Sequence, residues 1–484
     1  MNKFYITNTL NDTKEELITL NNTINWYSCG PTVYNDSHIG HARNYIVNDI
    51  IRRILLYYGY KVKLVMNITD IDDKIINKSK EIYNDGKEFL KISTKYEKSF
   101  FDDMDKLNIM RPDIITRATQ YIEEIINYIS NIQKNGFAYE SNNSVYFDSQ
   151  KYYESFKDNF NLNLNKESFD QDKISEKKNP QDFVLWKKSK DGEPFWESPW
   201  GEGRPGWHIE CTSMASDIFG NTFDLHSGGC DLKFPHHENE IKQANAHNNK
   251  NKWVNFFIHV GHLNIEGLKM SKSLKNFITI KEILEKYNSN QLRLLFLMHK
   301  YNHTMDYSED RLKQTNDILK NYTNFISNIT TLTENNNKYL QDDFDIIDEI
   351  DNIKEKIDFN FKDDFNTPEV INNLNDMIKK INKYILSKNG YKISIIKQSS
   401  DYLQKILNVM GINFNTSNNQ NKITDKLLDI ICNFRDDIKE YAFKNKQYEL
   451  LKMTDKIRDY DLPNLNIIIE DKGKDKSIWK FNIN

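Results

Sequence analysis

The feature that most constrains this chain is a short apolar run at residues 24–28 that leads through Cys29-Gly30-Pro31-Thr32 to His38-Ile39-Gly40-His41 and a long amphipathic stretch, residues 39–58. The run fits a buried strand and the stretch a helix. A second alternating run, KVKLVMNIT at residues 61–69, follows at once. Strand, helix and strand in such close succession predict the first half of a parallel α/β sheet. The turn between strand and helix offers backbone N–H groups and imidazoles where a phosphate can sit.

With 484 residues the chain is too long for one core and predicts several domains. Its 66 basic and 70 acidic residues give a net charge of −4, which neither announces nor excludes a nucleic-acid partner, since a local basic face suffices. Residues 1–10 lack the pattern of a signal peptide, and no apolar run reaches the roughly 18 residues of a membrane span. Cys29, Cys211, Cys230 and Cys432 are too scattered for a disulfide framework. The expectation is a soluble, cytoplasmic chain.

An acidic turn, Asp70 to Lys74, heads a region of helical periodicity over residues 75–134. Residues 136–203 mix short alternating runs with charged loops and read as an insertion between two halves of one sheet. Sheet-like sequence resumes at 206–214, 223–227 and 256–260, and a loop over 267–276 carries Lys269-Met270-Ser271-Lys272-Ser273. From 280 to 412 the pattern is helical, with helices at 347–361 and 370–386 around a turn at 364–368. A last helix at 424–448 precedes a hairpin formed by 466–470 and 478–481.

Two sets of residues carry chemistry. Cys29, Cys211 of WHIEC, and the cluster FPHHENE at 234–240 supply thiolates, imidazoles and carboxylates, the donors that zinc favours. Pro235 suits a first helical turn, which puts His236 and Glu240 on one face. By spacing alone, Cys29 and Cys211 equally suit small buried hydrophobes. Cys230 is a rival ligand whose Gly-rich loop favours packing or close backbone approach, and Cys432 lies in the apolar stripe of a late helix. The second set is His38 and His41 at a helix entrance with Lys269 and Lys272 on a loop, cations and N–H donors suited to charge developing on phosphate oxygens. No GxxxxGK[ST] motif is present.

His38-Ile39-Gly40-His41 and Lys269-Met270-Ser271-Lys272-Ser273 resemble the two signatures of class I aminoacyl-tRNA synthetases. CGPTVYNDSHIGHAR from Cys29, NITDIDDKI from Asn67, GWHIECTSM from Gly206, FDLHSGGCDLKFPHHENEI from Phe223 and DDFNTPEV from Asp363 resemble the cysteinyl-tRNA synthetase family, from about Trp26 to the end of the chain. That resemblance implies a Rossmann-like parallel-sheet core (1–118 and 205–262) split by a connective insertion (119–204), a signature-loop region (263–308), a helical bundle (309–415) and a small C-terminal α/β anticodon-binding module (416–484). It implies one zinc per chain held by Cys29, Cys211, His236 and Glu240, with His237 and Glu238 structural. It places Trp207, His226 and His259 in the amino-acid pocket. It assigns ATP to His38, His41, Lys272 and Asp231, catalysis to His38, His41, Lys269 and Lys272, and magnesium to the nucleotide. The partners implied are cysteine, ATP and tRNA(Cys), and a monomer is expected. The chain departs from the family at Leu274-Lys275-Asn276, where Leu-Gly-Asn is usual. Trp479 with Lys472, Lys474 and Lys476 suits either contact with anticodon bases or a hairpin anchored by its indole. A tRNA-independent cysteine ligase would share the adenylate and zinc chemistry, but the long region 280–484 exceeds what a small acceptor needs. A structural zinc protein would leave the paired phosphate motifs unexplained.

Overall fold

The computed structural model describes residues 3–156, 174–265, 267–269, 277–329, 332, 339–387, 390–414, 416–465, 467–472 and 475–481. It separates into two compact units, Met1–Asn413 and Phe414–Asn484.

The first unit is built on a parallel sheet of five strands: β1 Thr23–Ser28, β2 Lys61–Ile68, β3 Ile114–Arg117, β4 Phe223–Gly229 and β5 Val254–Val260. Their order across the sheet is β5-β4-β1-β2-β3, and every neighbouring pair is parallel. The chain therefore winds one way from β1 to β3 and returns to β1's other side with β4. Such a reversal opens a crevice at the carboxyl ends of β1 and β4, where ligands of this architecture bind. Both halves of the expected sheet are present, and the α/β fold stands as expected.

Helix α1, Ile39–Tyr57, crosses from β1 to β2 and buries Ile39, Ile46, Ile50 and Ile54. Residues 206–214 are not sheet: they begin helix α2, Trp207–Phe219. Its residues from His208 to Ala215 are all buried, so no polar face marked the helical period, and a short apolar run is ambiguous between strand and helix. β3 lies inside the region read as helical. Lys233–His237 form a π-helical turn, extended only at Phe234 (φ −137°, ψ 134°), that runs directly into helix α3, Glu238–Asn248, so Pro235 lies in the first helical turn as expected.

The insertion is an antiparallel sheet of Ala138–Ser141, Ser144–Phe147, Phe183–Lys188 and Gly203–Pro205. Val145, Phe147, Phe183 and Trp186 from its strands pack with Ile125 and Ile129 of the preceding helix. Helices Gln341–Lys362, Thr367–Ile385 and Ile393–Val409 form the bundle. Arg293, fully buried, ties bundle to sheet. Its guanidinium donates to Asp49 of α1 at 2.6 Å and to the carbonyls of Asn108 (2.7 Å) and Met410 (3.3 Å). A side chain at Gly411 would run into it, since a Cβ there would lie 2.6 Å from the guanidinium. The expected turn at 364–368 has Asp364 and Phe365 in the left-handed region, φ 59° and 49°. The Asp364 carboxylate accepts the Thr7 N–H (2.8 Å), the Thr7 hydroxyl (2.6 Å) and the Tyr301 hydroxyl (2.8 Å), which fixes the N-terminal strand Tyr5–Asn8.

In the second unit, helix Thr416–Lys444 begins earlier than expected, and Ile467–Lys472 pairs with Asp475–Phe481 as a hairpin. Cys432 is core, with Leu428, Leu462, Ile467 and Ile469. Trp479 packs against that core and donates its indole N–H to Asp429 at 2.8 Å, the anchoring role. The side chains of Lys472, Lys474 and Lys476 lie outside the described residues. Among the described residues no helix is long and apolar enough to cross a membrane.

Candidate active site and metal centre

The crevice predicted by the strand order is a cleft of about 480 Å³ whose lining includes His38, His41, Cys29, Cys211, Trp207, His236 and Asp231. Gly30 lets β1 turn into it. A Cβ there would lie 1.6 Å from the Asn67 carbonyl oxygen, and the Gly30 N–H donates to the Asn67 side chain at 2.9 Å.

His38 caps α1. Its Nδ1 accepts the N–H of Gly40 (3.1 Å) and of His41 (3.3 Å), while His41 Nδ1 accepts the His38 N–H (3.3 Å). Because Nδ1 is the acceptor in each ring, the neutral tautomer carries its proton on Nε2. The rings stack at 3.7 Å. Burial, with help from Lys74, lowers the His41 pKa to about 4, so it stays neutral at physiological pH. The segment after the signature loop is pinned beside these rings: Ile39 N–H donates to the Ile278 carbonyl (3.0 Å), Ile280 N–H to the Ser37 carbonyl (2.9 Å), and Phe277 sits edge-on to His38 at 5.0 Å. Leu268–Lys269 pairs with Leu263–Ile265. The Lys269 side chain and Lys272 lie outside the described residues.

Cys29, Cys211, His236 and Glu240 each bring a donor atom within 4.8 Å of the others. His236 Nε2 lies 2.7 Å from Glu240 Oε1, and Cys29 Sγ 4.0 Å from the same oxygen. All four are buried. A hydrogen bond from Cys29, working against burial, lowers the Cys211 thiol to about 6, while burial and Cys211 push Cys29 well up. Burial opposes ionisation of Glu240 too, yet His236 and His226 hold its carboxyl well below the usual range. Two facing buried sulfurs beside a paired imidazole and carboxylate are a donor set that a divalent cation would satisfy. Zinc fits these residues.

A second set, Cys29, His226, His237 and Glu240, also converges within 4.8 Å. Its hydrogen bonds assign it a different task. His226 Nδ1 faces the Tyr27 carbonyl at 3.1 Å and must carry a proton, while its Nε2 lies 2.6 Å from Glu240 Oε2. Both nitrogens are committed, and His226 orients the carboxylate. Thr9 fixes the rest. Its hydroxyl donates to the Phe257 carbonyl (2.8 Å), so its oxygen accepts from His259 Nδ1 (2.6 Å). His259 Nε2 then accepts from His237 Nδ1 (2.7 Å), which leaves His237 Nε2 unprotonated, 3.4 Å from Cys29 Sγ. His226 and His259 therefore stand behind the donor set, not on the cleft wall, whereas Trp207 is on it, stacked over His236 at 4.4 Å. Sequence reading missed Thr9 and also His208, whose Nδ1 meets His236 Nδ1 at 2.8 Å.

The same fold recurs in solved structures. Mycobacterium tuberculosis methionyl-tRNA synthetase in complex with methionyl-adenylate matches with a TM-score of 0.56 at 15% identity, over 81% of this chain and 90% of that one. Plasmodium falciparum arginyl-tRNA synthetase matches at 0.52 and 12%, over 80% and 76%. A Rossmann-like parallel sheet with His38 and His41 in the cleft at its carboxyl edge, in a sequence that carries both signature motifs, is that of a class I aminoacyl-tRNA synthetase. The family of class I (C) tRNA synthetase catalytic domains matches residues 16–317, and the DALR domain residues 360–415. The chain is 41% identical to the cytoplasmic cysteine–tRNA ligase of Dictyostelium discoideum, over 95% of this chain and 74% of that protein. It is also 41% identical to the cysteine–tRNA ligase of Methanococcus aeolicus, over 98% and 99%. The chain belongs to the cysteine–tRNA ligase family and is an aminoacyl-tRNA ligase enzyme.

Proposed function

We propose that this enzyme activates cysteine with ATP and transfers the cysteinyl group to the 3′-terminal adenosine of tRNA(Cys), in the cytoplasm and as a monomer. The observation that carries the reading is the shared cleft: Cys29, Cys211 and His236 line the same cavity as His38 and His41. Similarity to cysteine–tRNA ligases over nearly the whole chain supports tRNA, rather than a small amine, as acceptor.

In the first step the cysteine carboxylate attacks the α-phosphorus of ATP, and the bond to the bridging oxygen breaks to release pyrophosphate. His38 and His41 donate Nε2–H to phosphate oxygens, and their fixed Nδ1 acceptor roles hold the rings in that orientation. Lys269 and Lys272 neutralise charge as it develops, Asp231 supports the nucleotide side, and magnesium accompanies ATP. Charge-assisted donors of this kind contribute about 2.7–4 kcal/mol each when preorganised. In the second step the terminal ribose hydroxyl attacks the cysteinyl carbonyl and AMP leaves.

Zinc, when held by Cys29, Cys211, His236 and Glu240, would offer a soft coordination position that favours the cysteine thiolate over the serine hydroxyl. A pocket contact alone gives only about 1–3 kcal/mol of discrimination. Trp207 covers the amino-acid side of this centre, while His226 and His259 hold Glu240 and His237 from behind. The insertion, residues 119–204, serves as an acceptor-stem platform, the bundle over 309–415 as a spacer, and residues 416–484 as the anticodon-binding module. Charging of bulk tRNA with radiolabelled cysteine, with and without a zinc chelator, tests the reading. Cysteine should be attached and serine should not, and the chelator should abolish charging. Attachment that survives full zinc removal contradicts the reading.

A further inference from the structure

A third group of donors converges in the first unit, outside the four just described. Cys230, Asp231 and His262 each offer a ligand atom within 4.8 Å of the other two. The sheet places them together. β4 and β5 run side by side with Gly229 opposite Val260, so residues one or two past each strand end face one another.

Their backbone is held from several directions. The Gly261 N–H donates to the Tyr301 carbonyl at 2.9 Å, and the His262 carbonyl accepts from the Met305 N–H (2.9 Å) and from the Arg43 guanidinium. Backbone N–H groups of His262 and of Cys230 itself reach the Cys230 sulfur. The Asp231 carboxylate folds back over Gly229, 2.5 Å from where a Cβ would stand. Asp231 is exposed, and Cys230 and His262 are half-buried, so an ion has a route in from the cleft that Asp231 and His262 line. The Asp231 carboxylate is balanced by the neighbouring Arg43, burial keeps the Cys230 thiol protonated until an ion displaces its proton, and sulfur with imidazole selects a borderline-soft ion over magnesium or calcium. The proposed chemistry uses Asp231 alone of the three.

We propose that Cys230, Asp231 and His262 form a second, weaker site for a zinc-like divalent cation, and that an ion held there blocks the nucleotide's place in the cleft. The blocking half rests on the reading of the cleft as the ATP site; the metal-binding half does not. With three protein donors in place of four, the site fills only after the first.

Equilibrium dialysis of the full chain against zinc tests the site directly. The wild-type chain should bind two equivalents, and Cys230→Ser and Cys230→Ala one, with the tighter equivalent unchanged. With cobalt in place of zinc, the second equivalent should add a sulfur-to-metal charge-transfer band that both variants lack. A single equivalent in the wild-type chain, or a second that survives in both variants, overturns the site. In cysteine-dependent ATP–pyrophosphate exchange, excess zinc should inhibit the wild-type enzyme, with relief by ATP, and should spare Cys230→Ser at least tenfold. Equal inhibition of both proteins overturns the blocking while leaving the dialysis result standing. Absence of any exchange would count against the proposed function instead.

Discussion

Thr9→Val isolates the relay behind the metal donors. Valine has nearly the shape of threonine, so packing against the buried neighbours is kept and only hydrogen bonding changes. The Phe257 carbonyl still accepts the residue-9 N–H at 3.0 Å, but the His259 Nδ1–H loses its acceptor. His259 is 5% exposed, so water does not replace the hydroxyl. A buried donor left without a partner costs about 1–3 kcal/mol, a factor of about 5–150 in the unfolding equilibrium. The alternative is for both rings to change tautomer, which turns an N–H of His237 toward Cys29 Sγ. Urea unfolding of the zinc-loaded protein, read together with the ring ¹⁵N shifts of His259 and His237, separates these outcomes. Thr9→Ser should behave as the parent in both. If Thr9→Val is as stable as Thr9→Ser and both rings keep their ¹⁵N pattern, the relay as argued is wrong.

Three further outcomes follow from the site. Cys211→Ser should lose zinc and cysteine affinity together, measured by metal analysis and cysteine binding; cysteine bound at parental strength without zinc would break the link. His38→Asn keeps a side chain that can cap α1 but removes the Nε2 donor, so the melting temperature should hold while ATP–pyrophosphate exchange falls by about 100-fold; an unchanged exchange rate would remove His38 from the phosphate. Burial, aided by His226, lowers His259 to about 3 from its ordinary 6.5. The unfolded ring therefore takes up a proton below pH 6.5 that the folded ring refuses, and stability should fall from pH 6.5 toward 3 by up to about 1.4 kcal/mol per pH unit from this group. Urea midpoints at pH 7, 6 and 5 on the parent and on His259→Gln check this, since the variant should lack that share of the slope.

The β1–α1–β2 unit was legible because each element declares a period: a buried run, a 3.6-residue stripe and an alternating strand. Helix α2 was not, because a helix buried on every side has no stripe, and β3 offers only four residues. The donor set was legible as residue types, yet its geometry was not: Cys29 and Cys211 are brought together only by the strand order. The relay from Thr9 to His259 spans 250 positions, and nothing local to Thr9 distinguishes it from any threonine after a strand. Cys230 stood out as a rival ligand, but its partner His262 comes from the end of the neighbouring strand, a juxtaposition fixed by register. Proline at 235 pointed to a helix start, and the helical turn that holds it runs into α3 with His236 and Glu240 paired on one face.

X-ray absorption at the zinc edge, recorded with and without cysteine, bears most directly on the central claim that substrate sulfur meets the metal between Cys29 and Cys211. The enzyme loaded with one equivalent of zinc should show two sulfur neighbours at about 2.3 Å, from Cys29 and Cys211, rising to three when cysteine is added and staying at two with serine. A sulfur count that does not change with cysteine would contradict the account.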